Sequence, residues 1–295
     1  IIYYIIMKNI CGLNNLGNTC YLNSALQLLL NCNVITKFIL CNFFKSDILT
    51  NFKEFLEEYE KNKIISPKSI KNFVSQNNNY FKGFRQHDSH EFLLNLIDLL
   101  NDSLKKEFKN TDTQISNIKI DNLFDHILNT TISSIIFSEV SNEKSVTRTN
   151  EKILSIPINK GDSLFDCIEE FQNVEKLDKD NMWLSPLLKE KVIAYKRLYL
   201  KSYPKYLIIH LKRMNNNNLK DNKSIKVDKT IYLKDTKYEL TALINHSGSC
   251  EGGHYISAVK RNDQWFLCND SSISEIEIDN LLNNSYIYLF SKKNI

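Results

Sequence analysis

The hydrophobic period changes once along this chain, and that change bounds the fold more tightly than any other feature. Before about residue 130 apolar residues recur at helical spacing; after it they alternate or gather in short β-branched and aromatic runs. Residues 52–59 are amphipathic, with Glu54, Glu57 and Glu58 on the polar face, and Pro67 behind a Ser66 cap suits the first turn of another helix. The stretch 88–108 is the longest helix expected, with Phe92, Leu93, Leu96, Ile97 and Leu100 as its buried stripe. Strands are expected over 131–137, 153–158, 192–200 and 206–211, with a helix at Leu164–Phe171 among them. Further strands are expected over 238–244, 254–259, 265–268 and 286–290. Residues 110–119 and 215–223 are polar and read as loops. The class is α+β: a helical lobe, then a mostly antiparallel sheet lobe, with no internal repeat.

Six of the seven glycines fall in three segments. Gly12 and Gly17 precede Cys20, Gly83 precedes a polar cluster, and Gly248, Gly252 and Gly253 precede His254. Glycine serves where backbone turns sharply or lies close to a ligand, so chemistry is expected at these three places. Residues 12–27 read Gly-Leu-Asn-Asn-Leu-Gly-Asn-Thr-Cys-Tyr-Leu-Asn-Ser-Ala-Leu-Gln. From Cys20 onward Leu22, Ala25, Leu26, Leu29 and Leu30 share one helical face, and Asn18 or Thr19 can cap it. Cys20 then lies in the first turn, where free N–H groups and the helix dipole favour thiolate over thiol. Cys11, Cys32, Cys41, Cys167, Cys250 and Cys268 read as small buried hydrophobes.

A cysteine nucleophile needs a base, and the base needs an orienter. His210 sits in an apolar run and reads as a core residue; His87, His90 and His126 fall on or near helices and read as structural. His246, ahead of a turn, stays a candidate. His254 is the strongest, since it follows Gly252 and Gly253 and opens a strand. A second strand returns after a turn at 261–263 and ends at Asn269, whose amide oxygen can accept the imidazole N–H and fix its tautomer. Cysteine early, histidine late and asparagine after it is the papain-like order. Asn15 can supply an oxyanion N–H beside that of Cys20, and Asp270 is a second possible orienter, directly or through a water.

At 295 residues there is length for one large domain or two small ones, and 38 basic against 34 acidic residues give a net charge of only +4. That balance argues against nucleic acid, and seven cysteines with irregular spacing argue for a reducing compartment. The apolar start at residues 1–6 is too short to span a bilayer, and Met7 is a candidate natural start. Cytosol or nucleus is the expected location.

These segments resemble those of the ubiquitin-specific proteases. Residues 12–27 resemble the family's cysteine box, and Gly-Gly-His-Tyr-Ile-Ser at 252–257 with 265–270 resembles its histidine box. Phe-Arg-Gln-His-Asp-Ser-His-Glu-Phe at 84–92 resembles the Gln-Gln-Asp-Ala-His-Glu-Phe segment between them, and Leu-Ile-Ile-His-Leu-Lys-Arg at 207–213 a strand ahead of an active-site loop. The resemblance runs from about Gly12 to Phe290, in the family's order. It implies a papain-like cysteine protease core with a helical thumb (about 12–130), β fingers (131–200) and an antiparallel-sheet palm (201–295), behind an N-terminal extension (1–11). It implies hydrolysis of the (iso)peptide bond after the C-terminal glycine of ubiquitin, with ubiquitin and ubiquitinated proteins as partners. Cys20 would be nucleophile, His254 base, Asn269 third member and Asn15 oxyanion donor. Asp88 and Glu91 would meet arginines of the ubiquitin tail, and Gly252, Gly253 and Tyr255 would wall the channel for its paired glycines. First-turn acids favoured by the helix dipole are a compatible structural account of Asp88 and Glu91.

The chain departs from the family where many members hold zinc between two Cys-x-x-Cys pairs. Here Ser-Glu-Val-Ser stands at 138–141 and Ser-Pro-Leu-Leu at 185–188, with no Cys-x-x-Cys anywhere. No zinc and no cofactor are expected, the fingers being held by packing and strand pairing. Met214 stands where the family usually has Phe. Competing readings are a catalytically silent ubiquitin-binding module on the same fold, a protease for another ubiquitin-like modifier, and a transglutaminase-like acyl transferase.

Overall fold

The computed structural model describes residues 9–109, 114–115, 118–214, 219–249 and 252–293. The run Asn215–Asn218 within the expected polar loop, Cys250, and residues 1–8 with the candidate start Met7 lie outside the described residues.

A two-residue strand β1 (Gly12–Leu13) leads into helix α1 (Cys20–Leu29), followed by α2 (Asn33–Cys41) and α3 (Asp47–Lys61). Strand β2 (Ile64–Ile65) pairs in parallel with β1, and α4 (Lys68–Asn77) and α5 (Ser89–Phe108) complete the main helical lobe. The described part of 110–119 contains a small hairpin, β3 (Gln114–Ile115) and β4 (Ile118–Lys119), before α6 (Leu123–Leu128). Every residue of α1 is buried, so the one-sided stripe expected there is instead apolar packing all round, against α5 and the sheet. The polar residues inside it are paired: Gln27 donates to the Cys11 carbonyl at 2.7 Å and accepts from the Tyr59 hydroxyl at 2.6 Å. Ser24 lies 3.1 Å from the Ser89 hydroxyl, which fastens α1 to the start of α5. Pro67 occupies the N-cap of α4 and not its first turn, so the expected Ser66 cap is displaced by one position.

Beyond α6 come β5 (Thr130–Ser138), β6 (Glu143–Glu151), β7 (Leu154–Pro157), α7 (Leu164–Phe171), β8 (Glu175–Leu177), β9 (Trp183–Leu184), β10 (Lys191–Val192) and β11 (Ala194–Leu200). Helix α7 starts at a reciprocal cap between Ser163 and Asp166, which is why its bounds were legible. Strands β6, β5, β11 and β8 form one antiparallel sheet. Strand β6 was missed because its side chains are almost all polar and exposed, and only backbone pairing with β5 makes it a strand.

The last part supplies β12 (Tyr206–Lys212), β13 (Thr230–Leu233), β14 (Thr236–Gly248), β15 (Gly253–Arg261), β16 (Gln264–Asn269), β17 (Ser272–Glu275), helix α8 (Asp279–Leu282) and β18 (Ile287–Lys292). The large sheet runs β17-β16-β15-β14-β18-β12-β7, with β13 beside β14, and only the β12–β7 pair is parallel. Its centre is buried on both faces. Ile208, Ile244, Val259, Ile287 and Leu289 face the helical lobe, while Leu207, Ile209, Leu243, Ala258 and Tyr288 join α7 in a second core. Two-sided burial explains why these strands read as continuous apolar runs. Among the described residues, no single helix is long and apolar enough to cross a membrane.

Candidate active site

Cys20 is the first residue of α1 and 4% exposed. Thr19 holds the N-cap position but makes no side-chain capping bond, and Asn18 is left-handed at φ 55°. Instead the turn is wound around Asn15, whose Oδ1 accepts from Gly17 N at 2.9 Å, Thr19 N at 3.1 Å and the Thr19 hydroxyl at 3.3 Å. Thr19 Oγ1 in turn accepts from Leu16 N at 2.8 Å. Burial, the largest effect, raises the Cys20 pKa above its ordinary value; the Tyr255 backbone N–H opposes it, and the nearby Asp270 charge adds to it. The first-turn N–H groups of Tyr21 and Cys20 do act to lower the pKa, as expected of a helix start, but burial outweighs them and a base is needed to take the proton.

His254 supplies one. Hairpin β15–β16 turns at Asn262 and Asp263, both left-handed (φ 47° and 65°), and returns Asn269 alongside His254. Asn269 Oδ1 lies 2.7 Å from His254 Nε2. An amide oxygen only accepts, so Nε2 carries the hydrogen and Nδ1 keeps the lone pair. The next residue along β15 is Tyr255, whose backbone N–H acts to lower the Cys20 pKa. Cysteine and histidine are therefore joined through one strand, against which α1 packs.

Asp270 makes its direct bonds to the cysteine segment and not to His254. Its Oδ2 accepts from Asn15 Nδ2 at 2.9 Å, its Oδ1 from Asn23 Nδ2 at 2.7 Å, and its carbonyl from Leu13 N at 2.9 Å. With φ 51° it turns back from β16 toward the cysteine segment, and its carboxylate ties that segment together. Asn15 spends one amide hydrogen on this bond and retains the other.

A cleft of about 380 Å³ is lined by Cys20 together with Asp88, Glu91, Gly252, Gly253 and Tyr255. Asp88 Oδ1 caps α5, accepting from His90 N at 2.7 Å and Glu91 N at 3.2 Å. Its Oδ2 accepts from Tyr286 OH at 2.7 Å and Tyr255 OH at 3.2 Å, which fixes the carboxylate against the sheet. Gly253 has no room for a side chain, since a Cβ would come within 2.3 Å of His246 Nε2 and the Ser247 carbonyl.

His246 is buried, packs 4.4 Å from the Tyr255 ring in the cleft wall, and has its pKa lowered to about 4 by burial, whereas Asn269 bonds His254. His210 bonds Ser155 Oγ through Nδ1 at 2.9 Å and stacks on His90 at 4.0 Å, while its Nε2 is buried without a partner. His87 packs edge-on to Tyr21, and His126 is exposed on α6, outside the cleft lining. Sequence reasoning missed three supports: Gln86, whose Oε1 accepts from Gly253 N at 2.9 Å across the cleft, Tyr286 and Asn23. Asn23 carried a signal as one of three polar residues, with Ser24 and Gln27, in a fully buried helix, and Gln86 lay inside the 84–92 segment.

At the fingertip, where the family's zinc ligands would stand, Glu143 accepts from the Ser185 hydroxyl, and from Leu187 N at 3.0 Å. Ser185 Oγ accepts from Leu188 N at 2.9 Å, and Ser138 donates to the Ile193 carbonyl at 2.8 Å. Among the described residues no group of three or more His, Cys, Asp or Glu could hold a metal ion.

The family model described as ubiquitin carboxyl-terminal hydrolase matches residues 11–290. A probable ubiquitin carboxyl-terminal hydrolase 16 of Schizosaccharomyces pombe is 29% identical, over 98% of this chain and 68% of its own length. A ubiquitin carboxyl-terminal hydrolase 4 of Arabidopsis thaliana is 29% identical over 90% of this chain and 85% of its own, and Usp2 of Drosophila melanogaster 26% over 96% and 34%. Among solved structures, a SAGA deubiquitinating module of Ubp8, Sgf11, Sus1 and Sgf73 bound to monoubiquitin superposes with TM-score 0.82 at 22% identity, over 97% of this chain and 70% of that one. The same module bound to ubiquitin aldehyde gives 0.80 at 22% identity, over 100% and 73%.

Proposed function

The chain belongs to the ubiquitin carboxyl-terminal hydrolase family, and from that premise we propose that it is a thiol-dependent deubiquitinase cleaving the bond after ubiquitin's C-terminal glycine. The observation that carries the reading is the His254–Asn269 bond at 2.7 Å, made from strand β15, against which the helix that begins with Cys20 packs. His254 Nδ1 takes the thiol proton as sulfur attacks the carbonyl carbon, and Asn269 holds the imidazolium in place. The developing oxyanion meets the free Asn15 amide hydrogen and the Cys20 backbone N–H. The C–N bond breaks as the amine takes the proton from His254, leaving a thioester. Water, deprotonated by the same histidine, then releases ubiquitin's carboxylate and restores the thiol.

Asp88 and Glu91 line the same cleft as Cys20, where a basic tail would meet them. Arginine pairs with carboxylates through two parallel bonds, and a channel walled by Gly252, Gly253 and Tyr255 would suit the tail's paired glycines. The six described cysteines are all unpaired, which supports a reducing compartment, the cytosol or nucleus. A ubiquitin C-terminal electrophile labels the wild type and not Cys20→Ala. Failure to label well-folded wild type removes the enzyme reading in favour of a silent ubiquitin-binding module. Faster cleavage of a modifier whose tail lacks arginine removes ubiquitin as the substrate.

A further inference from the structure

We infer, building on the deubiquitinase reading, that Lys220 is a positioning residue whose ammonium stands in for a missing strand and holds the glycine wall of the tail channel in place. That wall is the end of β14 and the start of β15, where Gly248 faces Gly253, Ser247 faces His254 and His246 faces Tyr255. On its other edge β14 pairs with β18 only as far as Ile244, whose carbonyl accepts from Tyr286 N at 2.7 Å. Alternate carbonyls of a strand face the same edge, so those of His246 and Gly248 come next on that side. No described strand pairs with the edge beyond Ile244.

Lys220 meets both carbonyls. Its Nζ donates to that of His246 at 2.6 Å and lies 3.4 Å from that of Gly248. An ammonium carries three donors and a charge, so it serves two acceptors at once and more strongly than a neutral amide. The backbone beside it is anchored to the same sheet. Lys220 pairs with Met214 in an isolated antiparallel bridge, and Asp221 N donates to the Arg213 carbonyl at 2.6 Å. Arg213 follows β12 directly and is 2% exposed. Its guanidinium donates to the carbonyls of Lys223 at 2.6 Å, Asp221 at 3.3 Å, Ser285 at 3.0 Å and Asn283 at 3.2 Å. These bonds tie 221–223 to the turn ahead of β18, so the lysine reaches β14 from a fixed base.

The two carbonyls belong to residues that shape the cleft. His246 lines it, and a Cβ on Gly253 would come within 2.3 Å of His246 Nε2, so the glycine follows any shift of the histidine. Gly248 has a positive φ of 119°, and a Cβ there would stand 2.5 Å from the Gly252 carbonyl, so the turn between them is closely packed. Lys220 is not among the residues that line the cleft, and it therefore acts through the wall and not on the substrate. His254 keeps a separate support in Asn269. Loss of the lysine should fall on the glycine channel, and so on KM, while the proton transfer by His254 is kept.

Two variants test this. Lys220→Met keeps the apolar stem and removes the donors, and Lys220→Arg keeps charge and donors. On a ubiquitin C-terminal amide we expect Lys220→Met to raise KM roughly tenfold with kcat within about twofold, as for one lost charge-assisted bond, and Lys220→Arg to restore most of the loss. Alkylation of Cys20 by iodoacetamide, which needs no channel, should proceed in both as in wild type. Amide hydrogen exchange should quicken in Lys220→Met over 246–255 and stay unchanged in the rest of the sheet. An unchanged KM overturns the inference, as does a loss carried by kcat, or Lys220→Arg as impaired as Lys220→Met. Exchange that quickens throughout the sheet overturns it in favour of a general loss of stability. A wild type that is alkylated at Cys20 yet cleaves no ubiquitin amide defeats instead the deubiquitinase reading, and exchange over 246–255 then still decides whether Lys220 holds the wall.

Discussion

Asp270 separates two effects that act on the same sulfur. Its charge raises the Cys20 pKa, yet its carboxylate anchors Asn15, the proposed oxyanion donor. Asp270→Asn tolerates the left-handed backbone but removes the charge, so the pH profile of Cys20 alkylation by iodoacetamide should move to lower pH. Turnover of ubiquitin substrates should nonetheless fall, by roughly tenfold or more, as for a disturbed oxyanion donor. An alkylation profile that stays in place, or turnover that rises with it, would contradict this assignment. His254→Ala should abolish turnover and Asn269→Ala reduce it partially, because imidazole can still accept a proton when poorly oriented. Electrophile labelling of the same variants checks this.

At the level of the element, the start of α5 serves as both helix cap and proposed tail clamp through one carboxylate. Asparagine can keep the cap through Oδ1, but its Nδ2 cannot accept from the Tyr286 and Tyr255 hydroxyls, so Asp88→Asn should cost about 1–3 kcal/mol of stability. It removes the charge that would meet an arginine, and KM for a ubiquitin substrate should rise roughly tenfold with kcat little changed. Denaturant unfolding and kinetics on one preparation separate the roles; an unchanged KM would leave Asp88 a cap alone. The fingertip is the second case. Its turn closes on Glu143, whose carboxyl the Ser185 hydroxyl holds below the usual range. A zinc chelator should leave both melting temperature and activity unchanged, while Glu143→Ala should open the turn near Ser185 to limited proteolysis. Metal analysis finding one zinc per chain would refute this account.

Across the whole molecule, four histidines are held neutral by burial: His246 near pKa 4, with His87, His90 and His210 also lowered. The unfolded chain binds these protons near pH 6.5 and the folded chain only at lower pH, so the stability they lend is complete above 6.5 and lost as pH falls toward 4. The urea midpoint should drop steadily from pH 7 to 5, and a flat profile would contradict the burial of these rings. Much of this protein was legible in sequence because its signals are local. The period change near residue 130, the bounds of α7 and the turn at Asn262–Asp263 each depend on neighbours a few positions away, whereas Asp88, read as a first-turn acid, is the N-cap of α5. The sequence alone thus marked out two lobes and singled out Cys20, His254 and Asn269. Tertiary structure decided what depends on distant contacts: the edge strand β6 on its partner, the dry surroundings that raise the thiol, and the turning of Asp270 onto Asn15 and Asn23. It also decided that Gly253 yields its space to His246. Backbone pairing, burial and electrostatic fields arise between segments far apart in the chain, and no local pattern of residues encodes them.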